Sequence, residues 1–162
     1  HLGWRAHLER FDPAAQGWRF VQTLNRPWTM LAIQPTLLDH GGGRLQALCR
    51  TRNRVVAQSW SADGGATWEP LRPTGLPNPN SAVDALTLAD GRHLLAYNPS
   101  TRRRAPLALA LSRDGHAWHD VAVLDEGPGE ASYPSLIEAA DGRVHVTWTW
   151  RRQRIRHAAL RV

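Results

Sequence analysis

The sequence has one cysteine, one methionine and no lysine, so every basic residue is an arginine. With Cys49 as the single cysteine, an internal disulfide and a zinc site built from cysteines are excluded. No run of apolar residues is long enough to span a bilayer, and no basic segment followed by an apolar one marks a signal peptide. We therefore expect no membrane partner, and the localisation stays unknown.

The arginines give the chain a formal net charge of +6 at pH 7. Nucleic-acid-binding proteins gather such charge on one element beside aromatic side chains. Here the arginines are spread along the chain, with short clusters at Arg102–Arg104 and Arg151–Arg152. We therefore expect no nucleic-acid partner. The histidines show no pair at metal-ligand spacing, so we also expect no metal site, and nothing in the sequence calls for a cofactor.

The chain repeats one pattern of strands about every fifty residues. A Gly-Arg pair marks the same point of each repeat, at Gly43, Gly91 and Gly142. The residues after each pair alternate between apolar and polar, as in a half-buried β-strand. The expected strands cover residues 44–50, 55–61, 92–98, 107–112, 143–150 and 155–162. Because no helical periodicity is present, the sequence predicts an all-β protein, with thirteen strands in total.

Two of the repeats end in the same turn motif, which we expect to be structural. The aspartate of the motif can accept backbone N–H bonds in a tight turn, its glycine permits the backbone angles, and its tryptophan can bury apolar surface. The first copy runs from Ser61 to Trp68 and the second, one residue shorter, from Ser112 to Trp118. A weaker copy is expected at Asp12 with Trp18. The assigned structural residues are Ser61, Asp63, Gly65, Trp68, Ser112, Asp114 and Trp118.

The first copy fits the Asp box, Ser-x-Asp-x-Gly-x-Thr-Trp, at every position, and the chain resembles the sialidase (neuraminidase) superfamily, in its bacterial sialidase-like branch. The resemblance implies a six-bladed β-propeller, of which this chain covers about the C-terminal half. We assign a blade remnant to residues 1–25, blades to 30–72 and 78–124, and a final incomplete blade to 130–162. Since an open half-ring exposes strand edges, we expect the missing half upstream of His1 or, alternatively, in a second copy.

Alignment of the repeats on their Gly-Arg pairs puts Gln34, Ala82 and Tyr133 in one register, on the strands that line the channel of a propeller. Gln34 and Tyr133 should therefore face a shared space. The segment from Ala131 to Leu136 resembles the one that carries the nucleophilic tyrosine of sialidases, which implies that role for Tyr133. A neutral phenol suits a substrate whose reacting carbon bears a carboxylate, because a carboxylate nucleophile would be repelled there.

The resemblance also implies that Arg50 and Arg104 bind the substrate carboxylate, because a guanidinium can bind it through two parallel hydrogen bonds. The third arginine and the acid/base aspartate of the family would lie upstream of this chain. Asn80 and Asn98 are further candidates for substrate binding, although both could instead stabilise turns. Each functional assignment also has a structural alternative. Tyr133 could be a packing residue of its inner strand, and Arg50 and Arg104 could be solvated ends of strands.

Gln34 departs from the family pattern. The matching residue of sialidases is a glutamate that takes the proton of the tyrosine, and an amide cannot be a base. Asp84 and Glu130 are the candidates to replace it. The sequence therefore favours an exo-glycosidase acting on an acidic sugar. A non-catalytic carbohydrate-binding propeller and a protein-interaction scaffold remain as alternatives.

Overall fold

The computed structural model describes residues 3–26 and 28–162. These residues form thirteen β-strands, and each strand pairs antiparallel with its neighbours. In chain order the strands are β1 (His7–Asp12), β2 (Gly17–Thr23), β3 (Ala32–Asp39), β4 (Leu45–Thr51), β5 (Val55–Ser61), β6 (Arg72–Pro77), β7 (Asp84–Thr87), β8 (His93–Tyr97), β9 (Leu107–Ser112), β10 (His119–Asp125), β11 (Ala131–Glu138), β12 (Val144–Trp150) and β13 (Arg154–Leu160). Within the described ranges, no helix has the length and apolar character needed to cross a bilayer.

Strands that follow one another in the chain lie next to one another in four sheets. The hairpin β1–β2 is followed by the four-stranded sheets β3–β6 and β7–β10 and by the three-stranded sheet β11–β13. The first strands of the last three sheets contact one another, β3 with β7 and β7 with β11. The sheets are therefore blades of a partial β-propeller, with β3, β7 and β11 innermost, and the predicted all-β fold is confirmed.

The core lies between the blades. Strand β8 shows why, because all of its residues are buried and successive side chains point to opposite faces. Leu94 and Ala96 pack toward the final blade, against Val144 and Val146. The residues between and after them, Leu95 and Tyr97, pack toward the preceding blade. A strand that is apolar on both faces is buried only when a blade packs against each face. This requirement stacks the blades side by side around the channel.

The strands expected from the Gly-Arg pairs are confirmed to within two residues at their ends. The outer strand β6 differs from expectation, because it runs from Arg72 to Pro77, beyond the blade boundary set at residue 72. Pro73 and Gly75 favour a loop in the sequence, but β6 is the edge strand of its sheet. An edge strand tolerates proline, since its outward N–H groups need no partner in the sheet.

The first Asp box closes the turn after β5. Asp63 accepts hydrogen bonds from the N–H of Thr67 at 2.9 Å, from its hydroxyl at 2.6 Å and from the Ser61 hydroxyl at 2.8 Å. These bonds, that of the Thr67 hydroxyl first, lower the pKa of Asp63 to about 2. Gly65 donates its N–H to Ser61 Oγ at 2.9 Å. Trp68 is 8% exposed and donates its ring N–H to the Gly65 carbonyl at 3.1 Å.

The second Asp box repeats this turn after β9. Asp114 accepts two backbone N–H bonds at 2.8 and 2.9 Å and the hydroxyl of Ser112 at 3.1 Å. Trp118 donates its ring N–H to the Gly115 carbonyl at 3.0 Å. The weaker copy is incomplete. Asp12 accepts two backbone N–H bonds in the turn between β1 and β2, but Trp18 is 68% exposed. Only the turn half of the motif is therefore present there.

Candidate functional site

Three non-glycine residues with left-handed backbones stand where the inner strands begin. They are Gln34 (φ 54°), Asn80 (φ 61°) and Tyr133 (φ 53°). Gln34 and Tyr133 lie where the pairing of β3 and of β11 shifts register, as at a β-bulge. A bulge re-aims a side chain out of the regular ladder, and strained non-glycine conformations concentrate at functional sites. In the blade that begins with β7, the counterpart is Asn80, four residues before the strand, rather than the expected Ala82, which is buried.

Arg50 lies at the end of β4, opposite Ile33 of β3, and is only 6% exposed. Its Nη1 donates to Gln34 Oε1 at 2.9 Å, and its Nε and Nη2 donate to Asn80 Oδ1 at 3.2 and 3.0 Å. Among residues 3–26 and 28–162, no carboxylate forms an ion pair with Arg50. A buried guanidinium is therefore held by two neutral amides, and no carboxylate of the described residues neutralises its charge.

Arg104 reaches the same place from the loop between β8 and β9. Its Nη2 donates to the main-chain oxygen of Asn80 at 2.8 Å, and its Nη1 donates to Glu130 Oε1 at 2.8 Å. The guanidinium carbon lies 6.0 Å from the centre of the Tyr133 ring. The two arginines predicted to share an anion thus converge on the same asparagine, beside the predicted nucleophile.

Tyr133 is open to ligand, with 46% of its surface exposed. The adjacent guanidinium of Arg50 stabilises the phenolate, and Arg104 adds to the effect, so the pKa of Tyr133 is lowered from that of an ordinary tyrosine. A lowered pKa makes a phenol a better nucleophile near neutral pH.

Glu130, just before β11, is held by three donors. Ser132 Oγ and Arg104 Nη1 bind one carboxylate oxygen at 2.6 and 2.8 Å, and Arg152 Nε binds the other at 2.8 Å. Burial by itself would raise the pKa of Glu130, but these hydrogen bonds outweigh it and lower the pKa to about 2. Glu130 is therefore ionised at neutral pH and is a weak proton acceptor, suited to orienting Arg104.

Asp84 links the three inner strands. One carboxylate oxygen accepts the hydroxyl of Thr36 on β3 at 2.9 Å and the N–H of Ala85 on β7 at 3.0 Å. The other accepts the N–H of Leu136 on β11 at 2.8 Å. None of its hydrogen bonds reaches Tyr133. These contacts favour a positioning role for Asp84 over the expected role as a base.

The structure does not support substrate binding by Asn98. Its side chain is fully buried, and its amide donates to the carbonyls of Pro106 at 2.7 Å and Ala131 at 3.0 Å. It joins the loop that carries Arg104 to the start of β11, which is a structural contact.

Two residues beside Arg50 and Glu130 are not marked by any motif. The Trp4 ring lies 5.3 Å from the guanidinium carbon of Arg50, and Arg152 binds Glu130. Both come from distant parts of the chain, and only their position in the fold brings them to the site. In the described part of the chain, no three histidine, cysteine or acidic side chains are grouped so as to hold a metal ion.

A family model described as a BNR repeat-like domain matches residues 1–146. The chain belongs to the BNR repeat-like domain family. Its fold is similar to that of the NanB sialidase from Streptococcus pneumoniae, with a TM-score of 0.78 and 16% identity over 100% of this chain and 28% of that one. It is also similar to the intramolecular trans-sialidase from Ruminococcus gnavus, with a TM-score of 0.74 and 19% identity over 95% of this chain and 37% of that one.

A third match is the Hadza microbial sialidase Hz136, with a TM-score of 0.71 and 18% identity over 93% of this chain and 31% of that one. These likenesses show that this BNR repeat-like chain has the fold of bacterial sialidase propellers. It spans less than two fifths of each of these three structures. A comparison with functionally characterised proteins by sequence gives no significant match.

Proposed function

We propose that this chain is the anion-binding and nucleophile-bearing part of a sialidase-like exo-glycosidase that acts on an acidic sugar. The observation that carries the proposal is the convergence of Arg50, Arg104 and Tyr133 around Asn80. These residues come from different blades and approach one another only at this end of the channel. Ligands of propellers bind at such channel openings.

The charge of the site supports an acidic ligand. Among the described residues, Arg50 is buried, donates to two amide oxygens and faces the neutral phenol of Tyr133, so no anion neutralises it and a carboxylate would complete its interactions. The structural relatives point the same way. The NanB structure contains an ethanesulfonate ligand, and the Ruminococcus gnavus structure contains oseltamivir carboxylate, so both hold ligands that bear an acid group.

In the proposed reaction, Tyr133 Oη forms a bond to the anomeric carbon while the bond from that carbon to the aglycone oxygen breaks. The aglycone oxygen takes a proton from an acid that this proposal assigns to the rest of the propeller. The phenol proton passes to solvent, since Gln34 cannot accept it. Water then attacks the anomeric carbon as its bond to Tyr133 Oη breaks, which releases the sugar. The proton of the water returns to the deprotonated acid, and the departing phenolate takes its proton back from solvent. The two arginines favour the phenolate and so take over part of the work of a base.

The test is hydrolysis of a fluorogenic sialoside, and of other acidic glycosides, by the intact protein. Wild type should hydrolyse at least one of them, and Tyr133→Phe should abolish the activity because the attacking oxygen is removed and the ring is kept. Gln34→Glu should raise kcat on sialosides at saturating substrate, because it supplies a carboxylate at the position where sialidases use one. Activity that survives Tyr133→Phe would sink the nucleophile assignment.

A non-catalytic carbohydrate-binding propeller is the second candidate, and Gln34 is the observation that favours it. It predicts that the intact protein binds acidic sugars without hydrolysing any of them. Under either proposal the rest of the ring comes from an upstream segment or, as the alternative, from a second copy. Either one would cover apolar side chains on the first hairpin and the final blade, at the two ends of the partial ring, among them Phe20 (63% exposed) and Ile137 (62% exposed).

A further inference from the structure

The side-chain amides of Gln34 and Asn80 have a fixed orientation, because both bind Arg50. A guanidinium has only donors, so each amide must turn its oxygen toward Arg50. The distances agree, at 2.9 Å to Gln34 Oε1 and at 3.0 and 3.2 Å to Asn80 Oδ1. The NH₂ group of each amide, Gln34 Nε2 and Asn80 Nδ2, is therefore left for another partner.

Neither NH₂ group finds that partner in the described part of the chain, where the hydrogen bonds of both side chains go through their oxygens. Gln34 is exposed at the channel opening, and Asn80 is half-buried. Asn80 is held a second time through its main-chain oxygen, by Arg104 at 2.8 Å. Two amide donors thus stand beside a buried cation, on left-handed residues that hold them in place.

We infer that Gln34 and Asn80 are specificity-determining residues, whose NH₂ groups donate hydrogen bonds to the ionised acid group of the ligand. This inference rests on the proposed function and deepens it. A glutamate at position 34 would neutralise Arg50 and present an acceptor to an anion. Glutamine leaves the positive charge of Arg50 for the ligand and presents its NH₂ group as a donor. Arg50, Gln34 and Asn80 then offer only hydrogen-bond donors to the ligand.

The inference predicts that the preference for an acid over its ester depends on these amides. The probes are N-acetylneuraminic acid and its methyl ester, and the measurement is calorimetric binding to the intact protein at pH 7. Wild type should bind the acid at least about 10-fold more tightly than the ester, the size expected for one hydrogen bond to a charged group. Gln34→Glu and Asn80→Asp should lose most of that preference, chiefly through weaker binding of the acid.

The matched control is Gln153→Glu, which adds the same charge in the exposed turn between β12 and β13 and should keep the wild-type preference. Because the readout is a ratio of two affinities of one sample, a partly unfolded variant does not imitate the effect. An unchanged preference in both Gln34→Glu and Asn80→Asp would overturn the inference alone. Failure of wild type to bind either probe would overturn the inference, and the proposed function would fall with it only if the same sample also hydrolysed no other acidic glycoside. Binding of the acid without hydrolysis of any acidic glycoside would contradict only the proposed hydrolytic activity.

Discussion

Arg50 and Arg104 donate hydrogen bonds to two oxygens of the same residue. Arg50 Nη2 binds the side-chain oxygen of Asn80 at 3.0 Å, and Arg104 Nη2 binds its main-chain oxygen at 2.8 Å. The left-handed backbone of Asn80 lies between the two guanidinium groups. One asparagine therefore sets the spacing of two cations at the channel opening.

Replacing Arg50 by lysine should weaken binding of an acidic sugar by roughly 10- to 100-fold, the size expected when hydrogen bonds to a charged group are lost. Lysine keeps the charge but cannot bind Gln34 and Asn80 together and still face a carboxylate, because it lacks the planar fork. Titration calorimetry measures the effect. Arg72→Lys, on the exposed edge strand β6, is the matched control and should bind as wild type does. Equal affinities for the two variants would exclude Arg50 from the site.

Replacing Asp84 by alanine should destabilise the fold by about 1–3 kcal/mol, because the buried N–H of Leu136 on β11 loses its acceptor and the Thr36 hydroxyl on β3 keeps only the Ala85 carbonyl. The local effect should be faster amide hydrogen exchange at Leu136, whose N–H binds Asp84. Asp141→Ala, in an exposed turn, should change stability by less than about 0.5 kcal/mol. If Asp84→Ala abolished activity and left the exchange of Leu136 unchanged, a role in proton transfer would be favoured over a positioning role.

Removal of the first Asp-box tryptophan, Trp68→Ala, should reduce the free energy of unfolding by roughly 3–5 kcal/mol, since the ring is buried between blades. Asp63→Ala should also destabilise the fold, because it removes the acceptor that closes the turn. Ligand affinity of the folded fraction should stay close to that of wild type. Trp18→Ala removes an exposed tryptophan from the incomplete copy and should cost little in urea unfolding. Loss of binding at an unchanged Tm in Trp68→Ala would contradict the structural assignment.

The stability of the protein should fall as the pH is lowered below about 6.5. The ring centres of His40 and His93 lie 4.0 Å apart at the contact between two blades. Burial lowers the pKa of both imidazoles. The unfolded chain therefore takes up protons at a higher pH than the folded protein. The free energy of unfolding then drops between the unfolded pKa and the lower folded pKa.

Urea unfolding between pH 5 and pH 7.5 measures this slope, and His93→Gln should flatten it. His119→Gln, at an exposed position on β10, is the control and should keep the wild-type slope. The same slope in wild type and His93→Gln would show that the contact between His40 and His93 does not couple stability to pH.

The repeat structure of the chain could be predicted from its sequence because each blade carries the same local signals. The Gly-Arg turns and the Asp boxes are local in the chain, and their strands appear where the alternation places them. The position of the fourth strand of this blade, β6, was not predicted because proline and glycine favour loops, and an edge strand is the place where a sheet tolerates them.

The site itself was predicted only in part. Counting back from the Gly-Arg turns places Gln34 and Tyr133 correctly at the start of their strands, but gives Ala82 where the structure has Asn80. A bulge or an irregular segment changes the number of residues between turn and site, and simple counting cannot detect it. The contacts of Asp84 and Asn98 are with other blades, so they depend on the folded arrangement and leave no local pattern.

The central claim is that Tyr133 is the nucleophile of a glycosidase for acidic sugars, and trapping of the covalent intermediate tests it most directly. The intact protein would be incubated with a fluorinated sialic acid that carries a fluoride leaving group, which forms the glycosyl-enzyme and slows its hydrolysis. Peptide mass spectrometry would then locate the sugar. We predict one sugar attached to Tyr133 in wild type and none in Tyr133→Phe. A sugar attached to any other residue, or no adduct in a wild-type protein that hydrolyses acidic glycosides, would contradict the claim.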